Sequence, residues 1–139
     1  MIATFLLEKT INCVLSSDKS INYHHLQNKN INIQFQELTI NFIFHFEKDY
    51  LYLLTESKSG IDVDIKIKLS NFLEILKSSK VDDLIKENKI AIYGDVKVGQ
   101  DFFELLKKIN INWQEIIAKC VDDNNIAKKI NESVNQFIS

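Results

Sequence analysis

Gly94-Asp95, inside the stretch KIAIYGDVKVGQDFFELLKKI (89–109), is the first place in the sequence where chemistry could sit. A glycine and a carboxylate at a strand-to-helix junction suit a phosphate loop, a catalytic acid or a plain hinge. A phosphate cradle needs several glycines presenting N–H groups ahead of a helix, as in GxGxxG or GxxxxGK[ST]. Here only Gly94 and Gly99 occur, Gly99 falls within the helical run, and no Lys-Ser or Lys-Thr follows. Asp95 as a catalytic acid has no second acid, histidine or nucleophile placed beside it by the sequence. The structural reading is stronger. Gly94 lets the backbone turn out of a strand, and Asp95 accepts hydrogen bonds from the free N–H groups of a helix start.

The other chemical candidates fare no better. His24 and His25 are adjacent, so on a helix they point about 100° apart, and His45 falls on the polar side of a strand pattern. No HxxxH-type ligand spacing accompanies them, so no metal site and no cofactor is expected. Neither GxSxG nor HExxH occurs. Asp62 and Asp64 share a strand face with Lys66 and Lys68, which reads as a solvated surface. Cys13 and Cys120 are isolated thiols without CxxC spacing, the usual pattern of small buried residues in a reducing compartment.

Composition narrows the class. With 45% hydrophobic and 26% charged residues, the 139-residue chain resembles an ordinary soluble globular protein able to bury a core without a staple. It has no arginine and no proline, and is rich in Ile, Asn and Lys, as an AT-rich coding bias would produce. The net charge of −2, with acids and lysines interleaved, offers no basic stripe, so nucleic acid is set aside as a partner. The start MIATFLLEKTINCVL lacks a basic n-region and a small-residue cleavage site, and no run reaches transmembrane length. Cytoplasmic location is the expectation.

The elements that must position these residues follow from hydrophobic period. Ile2, Phe5, Leu6, Cys13 and Val14 predict a helix over 2–16, and a shorter one carrying Ile21, His25 and Leu26 follows. The period then becomes two. Strands are predicted over 31–35, 38–46, 50–56 and 61–69, expected to meander, and the last of them has one wet and one covered face. A helix follows with Phe72, Leu73, Ile75 and Leu76, then a turn or two with Val81, Leu84 and Ile85. Residues 89–93 form a fifth strand and a helix continues to Ile109. Asn112 caps a helix bearing Trp113, Ile116, Ile117 and Cys120, and a last helix carries Ile126, Ile130, Val134, Phe137 and Ile138. The fold class is α+β: one five-stranded, mainly antiparallel sheet with helices packed on its apolar face. One domain, 1–139, is expected, with N-terminal helices over 2–28, sheet and helices over 30–121 and the start of a C-terminal helix over 123–139.

Phe35, Phe42, Phe44 and Phe46 share an inward parity, and Phe72, Phe102, Phe103 and Trp113 come from helices over the same face. Such a set builds either a filled core or an apolar cavity, because both use the same residue types.

This order of elements, with IKENKIAIYGDVKVGQDFFELLKKI, resembles the sterol carrier protein type 2-like domain, in which a strand ends in Gly-Asp and leads into a helix. Within that family the chain is most similar to the bacterial ubiquinone-biosynthesis accessory factors. Gly94, Asp95, Gln100, Asp101, Phe102, Trp113, Glu115, Asp122, Asp123 and Ala127 carry the likeness, with Asp122-Asp123 standing where the group has Gly-Asp. The resemblance implies a non-catalytic lipid-binding accessory factor, without cofactor, that presents hydrophobic prenylated intermediates to hydroxylases and methyltransferases. It implies Phe42, Phe44, Val63, Ile65, Ile92, Phe102, Leu106 and Trp113 as the cavity lining, with Gly94 and Asp95 structural. The alternatives are an interaction scaffold with a filled core that assembles the enzymes, and an enzyme acting on the head group. Members of the group continue into a charged helical tail tied to coiled-coil pairing, a small helical partner factor or the membrane. This sequence stops at Ser139, and its last apolar stripe suggests self-association or packing of such a tail.

Overall fold

The computed structural model describes residues 2–37, 41–56, 60–77, 80–116 and 119. The expected helix over 123–139, together with Ile117 and Cys120, lies outside the described residues.

Helix α1 (Ile2–Ser17) is followed by a single 3-10 turn, His24–Leu26, where a second helix was expected. Strands β1 (Asn30–Phe35), β2 (Asn41–Glu47), β3 (Tyr50–Leu54) and β4 (Val63–Ile67) come next. Helices α2 (Leu69–Lys77) and α3 (Val81–Lys86), strand β5 (Ile90–Gly94) and helix α4 (Val96–Lys108) complete the named elements. Residues 113–116 are again helical, with the Glu115 N–H donating to Asn112 Oδ1 at 3.1 Å. Of the predicted second strand, residues 38–40 lie outside the described set.

The sheet has five strands in the order β3-β2-β1-β4-β5. All pairs are antiparallel except β1 with β4. The expected meander therefore stops at β3: β4 does not pair with its predecessor but crosses to the far side of β1. A parallel crossover is normally long. Here it is short because the strands are staggered. Leu54 lies level with Ile43, Asn32 and Asp64 through three successive pairings, so β4 starts where β3 ends. The connection needs only about 14 Å of sideways travel, three strand spacings.

Alternation sorts the strands into two faces. Ile31, Ile33, Phe35, Phe42, Phe44, Phe46, Leu51, Val63, Ile65, Ile67 and Ile90 are buried on the inner one. Helices α2 and α4 cover it with Phe72, Ile75, Phe102, Phe103, Leu105 and Leu106. Helix α1 adds Leu7, Ile11 and Leu15 to the same hydrophobic cluster and closes the β3 edge. The Asn12 amide bonds both backbone groups of Leu51 at 2.8 Å, and Glu8 Oε1 accepts the Leu53 N–H at 2.8 Å. An edge strand's unpaired N–H and C=O groups are thus satisfied by side chains.

Candidate functional site

The Gly94-Asp95 junction holds α4 against the sheet. Gly94 has φ +99°, and a Cβ there would stand 2.5 Å from the Asp62 carbonyl oxygen, so only glycine fits. Asp95 is the N-cap of α4; its carboxylate accepts the Val98 N–H at 3.2 Å. Across the ladder it faces Asp62, whose carboxylate accepts the Asn30 N–H at 2.7 Å. One turn later, Gly99 brings α4 close: a Cβ there would meet Val63 at 3.4 Å, Ile92 at 3.6 Å and Ile65 at 3.8 Å.

The eight residues assigned to a lipid site converge on this layer. Phe42, Phe44, Val63 and Ile65 face inward from β2 and β4, Phe102 and Leu106 come down from α4, and Trp113 packs beside Phe72. Ile92, near the open edge, is half-buried. The rings touch in sequence. Phe44 and Phe102 have centroids 4.8 Å apart, Phe102 and Phe103 6.1 Å, Phe103 and Phe72 6.1 Å, and Phe72 and Trp113 6.4 Å. Phe35 joins Phe42 at 5.8 Å and Phe72 at 5.1 Å. The Trp113 indole N–H is satisfied by the Ile109 carbonyl at 3.3 Å. Such edge-on and tilted contacts are favoured ring geometries. No titratable side chain belongs to this buried cluster. Its chemical capacity is to bury apolar matter.

Phe35, Phe72 and Phe103, which are not among the eight assigned residues, belong to the same layer of contacting rings. Their inward parity was the available signal. Three clefts lie elsewhere. One of about 250 Å³ is lined by Leu15, Lys19, Ile21, Asn22, Tyr23, His24 and Asp49. Burial, and then the Asp49 charge, hold the Tyr23 hydroxyl above its ordinary pKa. A second, of about 310 Å³ between α3 and α4, is lined by Lys80, Val81, Asp82, Lys97, Gln100, Asp101 and Glu104. A third, of about 190 Å³, has Leu6, Thr10, Ile116 and Lys119 around it. None of the eight assigned residues lines any of the three.

The His24-His25 pair and His45 lie apart. His25 Nε2 stands 3.7 Å from Asp101, while His45 on the outer face contacts Asn30 Oδ1 at 2.7 Å and Glu47 Oε2 at 3.2 Å. Among the described residues no group of three or more His, Cys, Asp or Glu side chains could hold a metal ion. No helix among them is long and apolar enough to cross a membrane.

A model of the SCP-2 sterol transfer family matches residues 11–107, from the middle of α1 almost to the end of α4. The chain belongs to that family. Among solved structures it is similar to a UbiJ-SCP2 ubiquinone synthesis protein, with 18% identity and a TM-score of 0.70 over 81% of this chain and 94% of that one. Sterol carrier protein 2 from Yarrowia lipolytica matches with 14% identity and a TM-score of 0.54, covering 76% of this chain and 91% of that one. The inverting sec-alkylsulfatase Pisa1 from Pseudomonas sp. shares the fold over 15% of its own length, with 20% identity and a TM-score of 0.57 over 70% of this chain. At these identities the likeness establishes a common fold. No curated protein matches this chain.

Proposed function

We propose that this chain is a non-catalytic lipid-binding accessory factor of ubiquinone biosynthesis. It holds the prenyl tail of a hydrophobic intermediate between the inner face of the sheet and helices α2 and α4, and leaves the head group to other enzymes. The observation that carries this reading is the inner layer itself, a continuous aromatic and aliphatic surface with no titratable group, in a member of a sterol transfer family. A prenyl tail needs no charge to be held, since each buried CH₂ contributes about 0.8 kcal/mol. The fold shared with a ubiquinone synthesis protein supports the biosynthetic context. In this reading the partners are the ubiquinone-biosynthesis enzymes and a small helical factor, in a bacterial cytoplasm. Phe42, Phe44, Val63, Ile65, Ile92, Phe102, Leu106 and Trp113 contact the tail, which enters by parting Phe44 from Phe102.

One observation favours a second reading, a scaffold that assembles the same enzymes without lipid: the rings of the inner layer are already in contact. Trp113 is the sole tryptophan and separates the two. Titration with a short-prenyl ubiquinone gives saturable quenching of its fluorescence, reversed by a competing long-chain lipid, if the tail enters the layer. Unchanged emission together with retained binding of the enzymes would establish the scaffold.

A further inference from the structure

The two edges of the sheet are treated differently. At β3 the outward backbone groups of Leu51 and Leu53 are taken by Asn12 and Glu8 of α1. At β5 the ladder leaves groups over. The Asp95 N–H donates to the Asp62 carbonyl at 2.9 Å, and Asp64 is opposite Tyr93, Lys66 opposite Ala91. By antiparallel alternation Tyr93 and Ala91 aim their backbone groups at β4, while Ile90, Ile92 and Gly94 aim theirs outward. Among the described residues no backbone or side-chain partner meets these outward groups.

The usual guards against edge pairing are missing as well. The strand Ile-Ala-Ile-Tyr-Gly has no lysine, proline or other charge, and it carries the exposed Tyr93, whose ring lies under the Lys66 ammonium at 5.8 Å. Its sequence is also complementary to itself. With Ile92 on a two-fold axis, Ile92 pairs with Ile92, Ile90 with Gly94, and Ala91 with Tyr93. The outward groups of Ile90, Ile92 and Gly94 then form six reciprocal hydrogen bonds. On the outer face each large Tyr93 covers a small Ala91, and on the inner face two half-buried Ile92 side chains cover each other. One residue further out, Lys89, whose ammonium stands 3.1 Å from Glu87, comes opposite the partner's Asp95, so opposite rather than like charges face each other across the strands.

We propose that β5 is the docking edge for a second copy of this chain, joining two sheets into one ten-stranded sheet through an antiparallel β5–β5 pair centred on Ile92. The interface is small, and the dimer therefore dissociates on dilution. The proposal stands whether or not the inner layer takes lipid.

The test uses the full chain in sedimentation and in register-specific cross-linking. In a Cys13→Ser, Cys120→Ser background, Ala91→Cys and Tyr93→Cys copies are mixed and oxidised. A non-hydrogen-bonded pair has Cα atoms about 4.5 Å apart, within disulfide reach. Two Tyr93→Cys copies would lie about 8 Å apart, beyond it. The proposed register gives a disulfide-linked dimer from the mixture and much less from either variant alone. Tyr93→Lys, at an exposed position, leaves the thermal melt unchanged and weakens the dimer by about tenfold or more, as edge lysines do. A chain that sediments as a monomer at every concentration would overturn the proposal. So would a dimer indifferent to Tyr93→Lys, or one whose mixed cysteines do not cross-link.

Discussion

The two faces of the sheet are built from the same strands and differ by one residue of register. The inner face carries Ile31, Ile33, Phe42, Phe44, Val63 and Ile65, all buried under helices. The outer face carries Asn30, Asn32, His45, Asp62 and Asp64, joined by hydrogen bonds. Asp62 accepts the Asn30 N–H at 2.7 Å, the Asn30 amide donates to the Gly60 carbonyl at 2.9 Å, and the Asn32 amide donates to Asp64 at 2.8 Å. Within the sheet, the buried inner-face residues are all apolar, while the hydrogen-bonding side chains project from the outer face, which Ile43, Tyr52 and Tyr93 share. Chemistry and capacity for apolar matter are thus segregated. The histidine and carboxylates of the outer face satisfy one another and the backbone. What remains for function on the inner face is apolar area, and that directs the proposal toward lipid.

Substitutions on opposite faces should therefore fail in different ways. Phe44→Asp places a carboxylate beside Phe102 in a buried position, and should cost about 4 kcal/mol or more, enough to unfold a domain of ordinary stability. Loss of the far-ultraviolet circular dichroism melt would register it. Phe102→Ala removes a fully buried ring with contacts to Phe44, Phe46 and Phe103, and should cost about 3–5 kcal/mol in chemical denaturation. Asn30→Ala, on the outer face, strips partners from His45 and Gly60 and should cost about 1–3 kcal/mol while leaving quinone quenching intact. Asp95→Ala removes the cap of α4 for about 1 kcal/mol, read from the same denaturation curves. Lys66→Ala removes only a cation over the Tyr93 ring and should stay within about 0.5 kcal/mol of the parent. An outer-face change that abolished quenching without unfolding would break the division between the faces.

Much of this was legible from residue order, and the exceptions have physical reasons. Alternation in IDVDIKIKL separates inner from outer residues whatever strand lies alongside, so the faces could be read before the pairing was known. The pairing itself was not readable. Placement of β4 beside β1 depends on the stagger that brings Leu54 level with Asp64, a non-local property with no sequence period. Asn12 and Glu8 are polar residues within the predicted helix 2–16, and nothing in the helical period marks them as the side chains that complete the hydrogen bonding of β3. Asn30 lies just before the predicted strand 31–35, and Asn32 takes a polar position within its alternation. They are buried, and the Asn30 amide bonds the Gly60 carbonyl in the β3–β4 connection. For the inner layer, residue types and parity placed these side chains on one face of the sheet and under the helices that cover it. They carry no information on whether that group encloses space, because filled and hollow layers use the same residues.

The most direct test is organic extraction of the purified full chain followed by mass spectrometry of what it releases. A lipid carrier of this kind releases a prenylated quinone intermediate at a substantial fraction of the protein concentration, and a folded Phe102→Leu variant releases much less. Extracts free of prenyl lipid from a chain purified out of a ubiquinone-producing cell would contradict it.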